Sequence, residues 1–179
     1  PYLDVFQRDG MNLTRVWAMG YPGALPQNLI QPWPRSTSGA NALDHLRKWD
    51  LSTWNEAYFT RLRNFVQLAS DRGIVVEVTF FSVFYNDSEW ERSPFHPSNN
   101  VQGYGATNNR YDCFRQNSTN ALLFERQLAA VRRIVSELND FDNVYYEIHN
   151  EPWWNEPGIK DNEEVAFHNS MLAAIRQEE

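Results

Sequence analysis

The residues best suited to chemistry fall in one stretch, Tyr145-Tyr146-Glu147-Ile148-His149-Asn150-Glu151-Pro152-Trp153-Trp154. Its first half has the aromatic and branched character of a β-strand, and Pro152, which cannot donate to a ladder, ends it. Glu151 then stands at the strand exit. A carboxyl group there can give and take a proton, and Asn150 can donate and accept at once, as recognition of a sugar hydroxyl requires. Trp153 and Trp154 offer flat apolar faces suited to the C–H faces of pyranose rings. The plainer alternative is that Glu151 only caps the turn that follows.

Three strands and three helices are expected to position these groups. The strands are residues 12–17, 73–81 and 143–149. One helix begins at Thr53, with Glu56 at capping-box spacing, and carries Tyr58, Leu62, Phe65, Val66 and Ala69 on one face before Gly73 stops it. A second begins near Ser118 or Thr119, with Phe124, Leu128, Val131, Val135 and Leu138 in register. A third begins at Asp161, with Glu164 again at capping-box spacing and Val165, His168, Met171, Leu172 and Ile175 on one face. Residues 2–8 read as the end of another helix.

Alternation of strands and helices implies βα units and a parallel sheet. The helix-to-strand links are short, whereas the strand-to-helix connections, 18–52 and 82–117, are long. In parallel α/β folds the loops leaving the C-terminal strand ends build the site. These two carry Trp33, Trp49, Phe84, Tyr85, Trp90, Phe95, Tyr104 and Tyr111. Trp33, Tyr85, Trp90 and Trp153 are candidate sugar platforms, and the Asn pairs at 99–100 and 108–109 either bind hydroxyls or make turns. Neither a GxGxxG turn nor a P-loop occurs, which argues against a doubly wound nucleotide fold. The expected class is α/β, a partial (β/α)8 TIM barrel with about strands two to four, since a whole one takes roughly 250 residues. The chain is read as one domain fragment, residues 1–179.

Composition narrows the partners. Lys plus Arg total 16 against 23 Asp plus Glu, a net charge of −7, the wrong sign for gripping phosphates, so no nucleic-acid partner is expected. No apolar run approaches the roughly 20 residues that span a bilayer, so no membrane partner is expected either. Cys113 is the sole cysteine, which excludes an internal disulfide. His45, His96 and His168 show no metal-ligand spacing with one another, so no metal and no cofactor are expected. Aromatic residues make up 15% of the chain, more than a core of this size requires, and the flat faces of Trp153 and Trp154 suit a carbohydrate partner. Oligomeric state is left open.

On these residues the chain resembles the clan A glycoside hydrolases, (β/α)8 enzymes whose fourth strand ends in Asn-Glu, often followed by Pro. It is most similar to the cellulase-like members of glycoside hydrolase family five and their relatives, over essentially its whole length. Residues 11–17 are similar to that family's second strand with its Arg, 73–81 to its third and 143–152 to its fourth. The resemblance implies that Glu151 is the general acid/base, that Asn150 holds the sugar 2-hydroxyl, and that Arg15 supports the nucleophile carboxylate. That nucleophile, a Glu ending the seventh strand, lies outside these residues. Phe80-Phe81-Ser82 also stands where many members have a His. A secreted or periplasmic location fits the resemblance.

Strand parity adds an independent expectation. Leu13, Arg15 and Trp17 should face inward, with Val75, Glu77, Thr79 and Phe81, and Tyr145, Glu147 and His149; Glu151 continues the series. His149 could then orient Glu151 or a substrate hydroxyl, or pack in the core. Asn150 faces away unless a bulge turns it, so a bulge is expected there. Buried charges need partners, so Arg15 should pair with Glu147 or Glu77. The leading functional reading is a retaining glycosidase acting on a β-linked glucan or mannan. The alternatives are a barrel of the same shape that binds sugar without cleaving it, and a different barrel enzyme using Glu151 with another partner.

Overall fold

The computed structural model of the chain describes residues 1–19, 30–105, 109–152 and 161–179, and of Asp161 the backbone alone. In chain order the elements are α1 (Tyr2–Arg8), β1 (Leu13–Trp17), α2 (Glu56–Ser70), β2 (Val75–Ser82), a short α3 (Asp87–Trp90), α4 (Ala121–Leu138), β3 (Val144–Asn150) and α5 (Asp161–Glu178). The strands form one parallel sheet in the order β1-β2-β3, pairing Arg15 with Glu77 and Glu77 with Tyr145. The α/β class expected from the sequence is the class observed.

The central strand explains the core. Every residue of β2 after Val75 is buried, as a parallel strand covered on both faces should be. Helix α4 contributes Leu123, Phe124, Ala130, Val131, Ile134, Val135 and Leu138 at helical spacing, and α2 contributes Tyr58, Phe59, Leu62, Val66 and Ala69. Gly73 takes φ +67°, a conformation open to glycine at no steric cost, and lets Ile74 N–H bond back to Ala69 as the chain turns from α2 into β2.

Three expectations about the helices need correction. The N-cap of α2 is Asn55, and the Thr53 hydroxyl instead donates to Asp50, so no Thr53–Glu56 capping box forms. Helix α4 starts at Ala121, after Asn120, whose amide is spent on the carbonyls of Asp112, Cys113 and Arg115. On α5 the buried face is Glu164, Phe167, Met171, Ala174 and Ile175, while Val165 and Leu172 are exposed. The helix is rotated because Phe167 inserts between Phe81, Phe114 and Phe124.

The long connections are packed structure. Single bridges join Arg35 to Trp49 and Trp49 to Asn100, tying the connection after β1 to the one after β2. Buried Asn100 donates to the carbonyls of Pro94, His96 and Tyr104, and buried Asn99 to those of Glu91 and Ser93. Asn99 and Asn100 therefore hold turns. Of the second pair, Asn108 lies outside the described residues, and Asn109 accepts from Tyr111 N–H.

Candidate active site

From the middle of β1 and the first half of β2 to the C-terminal end of β3, the polar side chains form one connected path. Arg15 reaches across the sheet and donates from Nε and Nη2 to the two oxygens of Glu77, both at 2.9 Å. Nη2 also lies 3.7 Å from Glu147, which accepts a 2.7 Å bond from the Thr79 hydroxyl. Both carboxylates weighed as partners for Arg15 are thus engaged, Glu77 directly and Glu147 at the margin. Bidentate pairing with Glu77 locks the guanidinium in its charged form and pushes its pKa up. Its face lies over the Trp17 ring, 5.4 Å from the centroid.

The path continues to the strand exit. Arg15 Nη1 donates to Asn150 Oδ1 at 3.1 Å, Asn150 Nδ2 donates to the Tyr85 hydroxyl at 3.4 Å, and Tyr85 donates to Glu151 Oε2 at 2.6 Å. Glu77, Arg15, Asn150, Tyr85 and Glu151 therefore stand in series. Glu151 has φ +52°, a left-handed conformation uncommon for a residue with a side chain and a local strain of about 1 kcal/mol or more. It sits on an exposed turn where β3 ends.

Asn150 faces Arg15, but the bulge expected there is not what turns it: Thr79–Glu147, Phe81–His149 and Ser82–Asn150 keep one register, with no extra residue in either strand. His149 and Phe81 are also not where parity puts them. The ladder pairs Thr79 with Glu147 and then Phe81 with His149, and across this step the inward face changes hands. His149 is turned toward the helix layer, packed on Phe114 with ring centroids 4.4 Å apart and facing His168 of α5. It is only 8% exposed and does not reach a substrate on the rim. Burial, reinforced by His168, pushes its pKa down to about 3; burial lowers His168 too, so both rings are neutral near pH 7.

Two of the expected platforms are also corrected. Trp33 is wholly buried against Trp54 and Phe95, and Trp90 is 3% exposed between Phe84 and His96. A sugar cannot stack on a ring without an open face, and these rings fill the cores of their own connections. Tyr85, 39% exposed, stays on the rim. Trp153 lies outside the described residues. The small pocket of about 20 Å³ bordered by Phe81, Glu89 and Phe95 has room for a water or so and not for a sugar.

Sequence reasoning missed one constellation. His149, Glu164 and His168 come together where β3 meets α5, although no spacing among the histidines announces it. The Glu164–His168 interval, one helical turn, was the available signal.

Comparison with known proteins supports the class the fold defines. A family model described as a domain of unknown function, DUF6298, matches residues 22–110. No curated protein matches the chain. Among solved structures it is similar to endo-glycoceramidase II from Rhodococcus sp. in its cellobiose-like imidazole complex, at 17% identity and TM-score 0.57, covering 98% of this chain and 40% of that one. The lactosyl-enzyme intermediate of the same protein gives 15% identity and TM-score 0.56, covering 98% and 41%. The chain therefore spans about 40% of the solved structures it matches, and its fold is similar to part of that TIM barrel.

Proposed function

We propose that residues 1–179 are the N-terminal half of one (β/α)8 catalytic domain of a retaining glycoside hydrolase, one of the cellulase-like enzymes of family five and relatives, cleaving O-glycosidic bonds in a β-linked saccharide of glucan or mannan type. The observation that carries this reading is the series Glu77–Arg15–Asn150–Tyr85–Glu151, which ends in a carboxylate at the C-terminal mouth of the sheet. The likeness to a glycosidase solved as a lactosyl-enzyme intermediate supports the covalent route.

The chemistry needs two carboxyl groups with separate tasks. Glu151 gives its proton to the leaving oxygen while a second carboxylate, from a later part of the domain, attacks the anomeric carbon. The C–O bond breaks, the aglycone leaves as an alcohol, and a glycosyl-enzyme ester remains. Glu151 then takes a proton from water, which attacks the same carbon and frees the nucleophile. Two inversions give net retention, which requires the carboxyl groups roughly 5 Å apart. Tyr85 holds Oε2, so Oε1 exchanges the proton. Asn150, oriented by Arg15, meets the sugar 2-hydroxyl, where hydrogen bonds strengthen as the transition state forms. Beside β1 an open cleft of about 260 Å³, bordered by Trp17, Ile30, Tyr58 and Phe65, is consistent with further barrel strands continuing from this edge.

The test is stereochemical. The complete domain, incubated with β-linked gluco- and manno-oligosaccharides, should release a β-anomer as first product, read by proton NMR before mutarotation. An α-anomer, or no hydrolysis of any such substrate, overturns the proposal.

A further inference from the structure

Behind the rim, the end of β3 and the first turns of α5 enclose a polar cluster walled by aromatic rings. His149 Nδ1 and His168 Nε2 lie 3.4 Å apart. Glu164, one turn before His168 on the same face of α5, brings a carboxylate oxygen to the same place, so that one ligand atom from each residue lies within 4.8 Å of the others. Glu164 is 3% exposed and His149 8%. Phe81, Phe114 and Phe167 close the surroundings.

From this geometry we infer that His149, Glu164 and His168 bind a divalent transition-metal ion of the zinc class. Two imidazole nitrogens and a carboxylate form a donor set that zinc and its neighbours accept. Zinc–nitrogen bonds of about 2.0–2.1 Å at a tetrahedral angle place two nitrogens roughly 3.3 Å apart. The observed 3.4 Å matches that spacing and is long for a direct N–H donor bond, which prefers about 3.0 Å. The Glu164 carboxylate supplies the negative charge that a dication needs away from bulk water.

Two further features fit. A cavity of about 10 Å³, bordered by Tyr111, Phe114, His149 and Glu164, has room for about one water. His149 Nε2 is buried with no hydrogen-bond partner among the described residues. A metal-bound imidazole carries its proton on the other nitrogen and needs an acceptor for it, and a water in this cavity supplies one. Arg110 also borders the cavity; its Nη1 and Nη2 donate to Asp87 and the Tyr111 hydroxyl, while its Nε is buried with no partner among the described residues. The ion would staple α5 to the strand exit that carries Asn150 and Glu151, and its binding does not depend on the glycosidase reading.

The test uses the purified chain stripped with a chelator and titrated with Zn²⁺ by calorimetry. One ion per chain is expected, and Co²⁺ in its place should give the intense visible absorption of tetrahedral coordination. Glu164→Gln and His168→Ala, each removing a direct ligand, should weaken binding by about a hundredfold or more, at or beyond the upper end for loss of an outer-shell partner. His45→Ala, at an exposed histidine outside the cluster, should leave it unchanged. X-ray absorption on the zinc-loaded wild type, which does not depend on any variant folding, should count two imidazoles and oxygen donors. No uptake by the folded wild type, wild-type affinity in both cluster variants, loss on His45→Ala, or a sulfur ligand overturns the site.

Discussion

The Tyr85 hydroxyl, carried just past the end of β2, donates to the Glu151 carboxylate at the end of β3 across 2.6 Å. A bond to a charged acceptor contributes about 1.5–3 kcal/mol, so in the complete domain Tyr85→Phe should lower kcat/KM by about ten- to a hundredfold. Tyr85 is 39% exposed, so the melting temperature should barely move. Parallel kinetics and thermal melts check this, and a fall in stability without a fall in kcat/KM contradicts it.

Arg15 and Glu77 predict a coupling that is visible in the chain itself. Arg15→Met strands the Glu77 carboxylate, only 11% exposed, without its bidentate partner. Removing one member of a buried pair costs about 3–5 kcal/mol, and the 38% exposure of Arg15 brings the expectation down to about 2 kcal/mol. The double variant Arg15→Met with Glu77→Leu should recover part of that loss. Urea unfolding in a double-mutant cycle measures it, and strict additivity would contradict the pairing.

Asp50 ties the two long connections together. It accepts from Ser52, Thr53 and Gln102, and these bonds, Ser52 foremost, hold its pKa down at about 2. A depressed carboxylate stabilises the fold fully above its unfolded pKa of roughly 3.9 and loses that contribution as pH falls toward 2, because the unfolded chain takes up the proton first. Asp50→Asn should therefore flatten the acid limb of stability between about pH 4 and pH 2. An unchanged slope in acid unfolding of wild type and variant contradicts this role.

Trp33 is the control for the corrected platforms. With no exposed surface, its truncation to Ala should cost about 3–5 kcal/mol by denaturant unfolding. A sugar affinity lost in a Trp33→Ala protein of unchanged stability would restore the platform role.

The strands and their order of appearance were legible because they rest on local signals. β-Branched runs, Gly73 and Pro152 act within a few residues, and the lengths of the connections pointed to the C-terminal mouth as the candidate face. The facing of His149 and Phe81 was not legible. Parity assumes an unbroken alternation, and the change of facing after Glu147 comes from Phe114 and Phe167, which arrive from distant segments and draw both rings outward. Trp33 and Trp90 misled for a related reason, since a ring type announces apolar area and not which side of a loop covers it. The meeting of His149 with Glu164 and His168 depends on how α5 is rotated, and the apolar pattern placed that rotation a step away.

The central claim concerns the proton carried by Glu151, and the most direct measurement compares leaving groups. In the complete domain, Glu151→Gln should cut kcat/KM by about a thousandfold or more for glycosides with alkyl or sugar leaving groups, and far less for nitrophenyl glycosides, which depart without protonation. Equal losses for both substrate classes, or full activity toward both, would contradict an acid at position 151.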